Sequence, residues 1–284
     1  MKKNIIYVAS LYHSGSTLLD RILSISDKSL GLGEIYKLII DGPEENCSCG
    51  LRTLDCDFWN DLEIFKKTNP NDFQSIEKRY KDILKKTIDR FSEIEYIIDS
   101  SKCHPLSLRI TYKNFKGLLF HTKNNPHNLK VIHLYRDPRG WVNSILDREK
   151  RFSRNKLISF LCRTPLLRIL RWLQWEIMNS RIRYFIKENN LESINVSYEE
   201  LNFKPIETIK KINKFTGLNL KIKENLELKT INSHICVGNP SRNNKNMKNF
   251  IRYDSRWISK GKNIIDDLFT YLYWRKIKKF IYNN

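Results

Sequence analysis

The residues best suited to chemistry lie in a short polar segment near the start of the sequence, His13-Ser14-Gly15-Ser16-Thr17. A buried strand is predicted before it, over Ile5 to Ala9, and a helix after it, where leucine and isoleucine recur at helical spacing. The first N–H groups of a helix have no partner inside the helix, and the helix dipole favours negative charge there. The segment therefore predicts a phosphate-binding loop, although an ordinary strand-to-helix turn with a serine cap is the alternative.

This segment differs from the nucleoside-triphosphate loop, G-x-x-x-x-G-K-[ST], at two positions. Gly15 and Thr17 occupy the places of the second glycine and the final hydroxyl, but Ser10 replaces the first glycine and Ser16 replaces the lysine. That lysine binds the β- and γ-phosphates, and the hydroxyl after it binds Mg²⁺. We therefore expect a loop for a single nucleotide phosphate rather than a site for ATP or GTP hydrolysis.

A glutamate and a lysine are the next candidates. Glu34 follows two glycines in Leu30-Gly31-Leu32-Gly33 and would act as a general base if the fold brings it beside the first loop. A carboxylate that stabilises the start of a helix is the alternative interpretation. Lys102 ends Asp99-Ser100-Ser101-Lys102, directly after a strand predicted over Tyr96 to Asp99. Because ligands bind at the carboxyl ends of strands in α/β sheets, Lys102 is a predicted site residue.

A second anion-binding segment follows a third predicted strand, Lys130 to Tyr135. Arg136 carries a planar, permanently charged guanidinium that suits a phosphate, and Ser144 in the following helix can add a hydroxyl. An arginine–aspartate surface pair and an ordinary helical serine are the alternative. Together with the first loop, this segment predicts two anion sites.

Strands that alternate with helices position these residues. A fourth strand is predicted at Ile194 to Ser197. Further helices are predicted over Asp72 to Phe91, over Pro205 to Phe215, and over residues 157 to 186 with a break at Thr164-Pro165. This alternation predicts an α/β fold with three layers, in which helices flank a mostly parallel central sheet. We expect a single domain over residues 1–284, in which the polar, basic segment 230–257 is a candidate lid.

The chain is strongly basic, with a formal net charge of +20. This charge suits an anionic ligand, an acidic membrane surface or nucleic acid. The basic residues are spread along the chain without an RNA-binding signature, so we expect no nucleic-acid partner. Peripheral contact of residues 157 to 186 with an acidic membrane is an alternative to core packing. The first strand begins at Ile5 and no apolar run approaches the ~20 residues that span a bilayer, so we expect a cytoplasmic protein.

Three of the six cysteines lie close together in the sequence, at Cys47, Cys49 and Cys56. Without a secretory signal, a disulfide framework is not expected. A zinc site would need a fourth ligand, for which Cys103 and His104 are the candidates that the sequence offers. We favour a tight loop of reduced thiols and expect no metal.

Taken in order, these segments resemble the sulfotransferases that use 3′-phosphoadenosine 5′-phosphosulfate (PAPS), in particular bacterial members. The resemblance covers the chain from Ile5 to Trp257. Four segments resemble, in turn, the 5′-phosphosulfate loop, the 3′-phosphate motif, the Y-E-x-L strand end and the cofactor-covering loop: His13 to Leu19, Leu134 to Arg139 with Ser144, Val196 to Leu201, and His234 to Arg242. The cysteine loop, which ends in Phe58-Trp59, also resembles one found in bacterial members.

The resemblance implies a P-loop-like sulfotransferase fold and in-line transfer of a sulfuryl group from PAPS to a hydroxyl or amine. The product would be adenosine 3′,5′-bisphosphate, and no metal is implied. Glu34 matches the catalytic-base glutamate of tyrosylprotein sulfotransferases, and Lys102 resembles their lysine on the sulfuryl group. His13 departs from the usual lysine or arginine, and is a third candidate catalytic residue. The implied cofactor-binding residues are His13, Ser14, Gly15, Ser16, Thr17, Arg136, Ser144, Tyr198 and Arg242.

Two other classes of function are alternatives. A P-loop-type kinase for small molecules would consume ATP with Mg²⁺, but Ser16 in place of the lysine argues against it. A non-catalytic basic protein would bind membrane or nucleic acid with an affinity that falls steeply with salt. The segments expected to line an acceptor pocket, 41–70, 114–128 and 147–165, suit a small molecule, a glycan, a lipid or a peptide alike, and the sequence does not fix the oligomeric state.

Overall fold

The computed structural model describes residues 3–60, 66–102, 116–123, 128–152, 164–220, 233–238, 253–260 and 263–282. Within these ranges the predicted parallel sheet is present, with five strands. The strands are β1 (Asn4–Ser10), β2 (Ser29–Gly31), β3 (Tyr96–Asp99), β4 (Asn128–Tyr135) and β5 (Ser193–Ser197). Their order is β2-β3-β1-β4-β5, and every neighbouring pair is parallel.

Strand β1 lies at the centre of the sheet because its side chains are apolar on both faces. Ile6 and Val8 pack against the helices of one face, and Tyr7 and Ala9 pack against those of the other. Such a continuous apolar run is typical of a parallel strand with helices on both sides. The prediction of an α/β fold with three layers is confirmed.

Helices cover both faces of the sheet, and those predicted over Asp72 to Phe91 and Pro205 to Phe215 lie close to the predicted positions. The helices are α1 (Ser16–Leu23), α2 (Ile35–Asp41), α3 (Phe73–Arg90), α4 (Lys116–Lys123), α5 (Pro138–Phe152), α6 (Pro165–Glu188), α7 (Tyr198–Phe203), α8 (Pro205–Thr216) and α9 (Ile264–Ile277). A π-helical turn, Lys278–Tyr282, continues α9. The Asp72 side chain caps α3, and Thr164 caps α6 directly before Pro165, at the predicted break.

The two faces of the sheet have different partners. Helices α1 and α8 cover one face, through residues such as Ile22 and Ile212. On the other face, α5 and α6 cover β1 and β4 with three buried tryptophans, Trp141, Trp172 and Trp175. Helices α2 and α3 and the cysteine loop cover the β2 side of that face. Among the helices described, none is long and apolar enough to cross a membrane.

Candidate active site

The predicted site residues that the structure describes follow the carboxyl ends of the strands, apart from Ser144 in α5. The loop from His13 to Gly15 follows β1, Glu34 follows β2 and Lys102 follows β3; Arg136 and Tyr198 follow β4 and β5 directly. Parallel strands end at the same edge of a sheet, and the strand order reverses at β1, between β3 and β4. This edge is where open α/β sheets bind ligands.

The first loop needs a glycine at position 15. Gly15 has a φ of 92° and precedes the first turn of α1, whose N–H groups receive no side-chain cap. A Cβ atom on Gly15 would lie 2.6 Å from Cδ2 of Tyr198, so the tyrosine ring closes directly over the backbone. Ser14 and Ser16 are buried beside it, and Thr17 is half-buried. The predicted loop therefore presents helix N–H groups and hydroxyls in a confined space, as an anion site requires.

His13 joins this loop to the second anion segment. Its Nδ1 lies 3.1 Å from Ser144 Oγ, and its carbonyl accepts a hydrogen bond of 2.9 Å from Arg136 Nη1. Its Nε2 is buried without a hydrogen-bond partner among the described residues. Burial, reinforced by the charges of Arg148 and Lys102, lowers the pKa of His13 to about 4. The imidazole is therefore neutral at pH 7.

Arg136 is held on several sides at the end of β4. Its guanidinium carbon lies 4.9 Å from the centre of the Tyr198 ring, and Nη2 lies 3.1 Å from Asp254 Oδ2. The Asp254 N–H in turn donates to the Tyr198 hydroxyl at 3.1 Å. The Arg136 Nε is buried and finds no hydrogen-bond acceptor in the part of the chain described. These contacts orient a permanent positive charge beside the first loop.

Glu34 and Lys102 form an ion pair on the other side of β1. Lys102 Nζ lies 2.5 Å from Glu34 Oε1, and both side chains are largely buried. Residues 233–238 lie against this pair: Ile235 packs on Gly33, and a Cβ on Gly238 would lie 2.8 Å from Glu34 Oε1. The charge of Lys102 also acts on His13, so the pair lies within electrostatic reach of the first loop. The structure thus brings together the three predicted catalytic residues.

Asp20 is a buried residue that contacts the loops carrying Glu34 and Lys102. It was not predicted from the sequence. It is fully buried in α1, where burial raises the pKa of its carboxyl to about 7. Hydrogen bonds from Ser100 and from the Gly33 backbone connect it to the loops that carry Lys102 and Glu34. The available signal was an acidic residue among the apolar positions of α1.

Glu199 supports the Arg136 side in a similar way. Its Oε1 accepts a hydrogen bond of 3.1 Å from the Asp137 N–H. Burial, with the nearby charge of Asp137, raises the pKa of Glu199 to about 8. Asp137 itself pairs with Arg139 and accepts a hydrogen bond from Tyr282. The end of β4 is therefore fixed by a polar network beneath Arg136.

Two parts of the candidate lid lie at the site. Ser233–Gly238 contacts Glu34, and Tyr253–Trp257 contains Asp254, the partner of Arg136. Arg242 lies outside the described residues, as do Cys103 and His104. Asp254 was not predicted, because it is distant in sequence from the arginine that it pairs with.

Comparisons with known proteins agree with this fold. The family model described as "Sulfotransferase domain" matches residues 3–264. The sulfotransferase domain from the curacin biosynthetic pathway is similar over 95% of this chain and 97% of that chain, with a TM-score of 0.55 and 15% identity. The sulfotransferase domain of the Synechococcus PCC 7002 olefin synthase is similar over 96% of each chain, with a TM-score of 0.51 and 16% identity.

No curated protein sequence matches the chain. The two solved domains support the P-loop-like sulfotransferase fold, and the family model adds membership, because it covers most of the sequence. The chain belongs to the sulfotransferase domain family, and is an enzyme that transfers a sulfuryl group to an acceptor.

Proposed function

We propose that this enzyme takes its sulfuryl group from PAPS. The 5′-phosphosulfate would bind the loop from His13 to Thr17, and the 3′-phosphate would bind Arg136 and Ser144. One observation carries the proposal: Arg136 donates to the carbonyl of His13 at 2.9 Å, so the two anion sites are neighbours. A donor with two separate anionic groups and no γ-phosphate matches that arrangement, and it does not need the lysine that Ser16 replaces.

The transfer would be a single in-line displacement. The acceptor oxygen or nitrogen attacks the sulfur as the bond from sulfur to the bridging oxygen of the 5′-phosphate breaks. Glu34 takes the proton from the acceptor, and adenosine 3′,5′-bisphosphate leaves. Lys102, which lies 2.5 Å from Glu34, would stabilise charge on the sulfuryl oxygens.

His13 would act as a neutral hydrogen-bond donor to the leaving phosphate. Its depressed pKa, about 4, makes the imidazolium form rare at neutral pH. When the Ser144 hydroxyl donates to Nδ1, the ring proton lies on Nε2, the buried nitrogen that lacks a partner among the described residues. That tautomer can donate to an oxygen of the bound nucleotide. Ser144 would thus set the tautomer of His13 before the nucleotide binds, and its single hydroxyl proton would turn to the 3′-phosphate only when that contact with His13 is broken.

Tyr198 and Arg242 would complete the nucleotide site. Tyr198 already contacts both anion segments, since its ring lies over Gly15 and against Arg136. Arg242 would approach from the lid, residues 230–257, whose described ends lie beside Glu34 and Arg136. In this proposal the whole chain, 1–284, acts as one sulfotransferase domain.

Calorimetric titration with adenosine 3′,5′-bisphosphate tests the donor, with ATP plus Mg²⁺ as the comparison. We expect the bisphosphate to bind with a Kd in the micromolar range or below, about −8 kcal/mol or better, and ATP to bind at least about tenfold more weakly. Preference for ATP would contradict PAPS as the donor. Binding of neither nucleotide by folded protein would contradict the proposed donor site at the two anion segments.

An acceptor screen follows from a positive titration. Incubation with PAPS labelled in the sulfuryl group and pools of small molecules, glycans, lipids and peptides should label one class. If the bisphosphate binds but no pool is labelled, the donor site is still supported. The acceptor then belongs to a class that the pools do not contain.

A further inference from the structure

A second cluster of reactive side chains lies on the β2 side of the sheet, in the loop between α2 and α3. The ligand atoms of Cys47, Cys49, Cys56 and His234 all lie within 4.8 Å of one another. Cys56 Sγ is 3.8 Å from the sulfur atoms of both Cys47 and Cys49, and 3.3 Å from His234 Nδ1. A disulfide would need a sulfur separation of about 2.05 Å, so these are three separate thiols.

These separations are those of a tetrahedral metal site. Zinc bonds of about 2.3 Å to sulfur and about 2.0 Å to nitrogen place two sulfur ligands about 3.8 Å apart, and sulfur and nitrogen about 3.5 Å apart. Cys56 Sγ lies 3.8 Å from each of the other two sulfur atoms, and the sulfur atoms of Cys47 and Cys56 lie 3.9 and 3.3 Å from His234 Nδ1. Three thiols of one loop and a histidine distant from them in sequence therefore lie at separations that suit one tetrahedral ion.

The surroundings hold these ligands in place. Backbone amides donate to two of the sulfur atoms: that of Cys49 to Cys47, and those of Phe58 and Trp59 to Cys56. The Phe58 ring stacks on the imidazole of His234, with ring centres 5.1 Å apart. Trp59 Nε1 donates to the His234 carbonyl at 2.9 Å. Such outer contacts orient metal ligands and stabilise thiolate charge.

We propose that Cys47, Cys49, Cys56 and His234 bind one structural Zn²⁺ ion. Thiolate and imidazole ligands select zinc over magnesium or calcium, and four protein ligands leave no open position for catalysis. The ion would fasten the cysteine loop to residues 233–238. The backbone N–H of His234 also donates to the Gly31 carbonyl at 3.0 Å, and Ile235 packs on Gly33. The ion would therefore fix the segment that lies against Glu34.

This site replaces one expectation from the sequence. The sequence alone favours reduced thiols without metal there, and it offers Cys103 and His104 as candidates for a fourth ligand. The structure supplies His234 instead, which is distant in sequence from the cysteines. His234 is brought to the cysteines by the parallel bridge between Gly31 and Ser233. Because this contact joins distant parts of the sequence, the spacing of the ligands shows no zinc-binding motif.

Metal analysis of the full chain, expressed with ample zinc and dialysed against metal-free buffer, tests the site. We expect about one zinc ion per chain. Cys49→Ser should lose most of the zinc without disturbing the core, because Cys49 is exposed. Cys236→Ser is the matched control, since Cys236 lies in the same segment as His234 but outside the cluster, and it should retain the zinc. Iron in place of zinc, negligible metal in folded wild-type protein, or equal zinc in both variants would overturn the proposal.

Two further measurements use the unmodified sequence. Cobalt(II) in place of zinc should give the intense visible absorption of a tetrahedral site with thiolate ligands. Removal of zinc with a strong chelator should lower the Tm, and added zinc should restore it. If neither treatment changes the Tm, the proposal of a structural zinc ion is contradicted. Neither outcome depends on bisphosphate binding, so the zinc site and the proposed donor can fail separately.

Discussion

At the scale of the residue, the contact between Glu34 and Lys102 leads to a direct test of the proposed base. Glu34→Gln keeps the size of the side chain but cannot accept the acceptor proton. With the acceptor found by the screen, we expect kcat to fall by about 10²- to 10⁴-fold, while the Kd for the bisphosphate changes by less than about threefold. Glu95→Gln is the control, because Glu95 forms an exposed ion pair with Lys28. Normal turnover of Glu34→Gln would exclude the assignment.

Arg136 is the second residue whose role can be measured. Arg136→Ala removes charge-assisted hydrogen bonds of about 1.5–3 kcal/mol, so bisphosphate affinity should fall by roughly 10- to 100-fold. Arg136→Lys keeps the charge without the planar fork and should give an intermediate affinity. Lys28→Ala removes the same charge from an exposed position and should bind normally. If titration shows that Arg136→Ala binds the bisphosphate as tightly as wild type does, the proposed contact between Arg136 and the 3′-phosphate is contradicted.

Single residues were predictable where their signal was local in sequence. His13 and Arg136 each stand directly between a run of strand residues and a helix start, so their positions at the sheet edge followed from the pattern. Asp254 and His234 carry no such signal, because each acquires its role from a partner more than one hundred positions away. The sequence and the family resemblance each name Glu34 and Lys102 as site residues, but neither predicts that the two form an ion pair.

At the scale of the element, the strand pattern was predictable except at β2. The sequence predicts the other four strands, from a continuous apolar run in β1 and from shorter groups of β-branched and aliphatic residues in β3, β4 and β5. Strand β2 has only three residues, Ser29–Gly31, and it ends in glycine, so it resembles a turn. It forms because Leu30 and Gly31 pair with Ile97 and Ile98 of β3, and this pairing is invisible to local periodicity.

The turn from β1 into α1 gives an element-scale prediction. Gly15→Ala would place a side chain at a φ of 92° and against Tyr198, and left-handed backbone alone costs an L-residue about 1–2 kcal/mol. We expect lower stability in chemical denaturation, and bisphosphate affinity reduced by at least about tenfold. Gly217→Ala is the matched control: its φ is 82°, but it lies at the end of α8. Gly217→Ala should be less stable than wild type but should bind the bisphosphate with unchanged affinity. If both variants bind the bisphosphate equally well, the assignment of the loop at Gly15 as a phosphate site is contradicted.

At the scale of the whole molecule, stability should depend on a buried histidine that is not among the proposed site residues. His133 is buried in β4, its Nε2 lies 3.1 Å from Asn179 Oδ1, and burial lowers its pKa from 6.5 to about 3. The unfolded chain therefore binds more protons between these values, and folding stability is lost as pH falls below 6.5. We expect His133 to account for about 1–2 kcal/mol of the loss between pH 6.5 and 5.

Denaturant unfolding of wild type and His133→Gln at several pH values measures this contribution. The variant should show a smaller loss on acidification, and Lys28→Ala should show the full loss. Asp20 and Glu199 act in the opposite direction, because their raised pKa values favour the protonated form in the folded chain. The test is therefore the difference between wild type and variant. Parallel pH profiles would show that His133 does not titrate differently on folding.

The central position of β1 also separates the site along the gene. Glu34 and Lys102 come from the stretch that builds β2 and β3, whereas Arg136 and Tyr198 come from the stretch that builds β4 and β5. The first half of the coding sequence thus contains the proposed base, its lysine and the 5′-phosphosulfate loop, and the second half contains Arg136, Ser144 and Tyr198, which would complete the nucleotide site. A recombination crossover between β3 and β4 would therefore conserve donor binding only if it joined two halves that fit the same nucleotide.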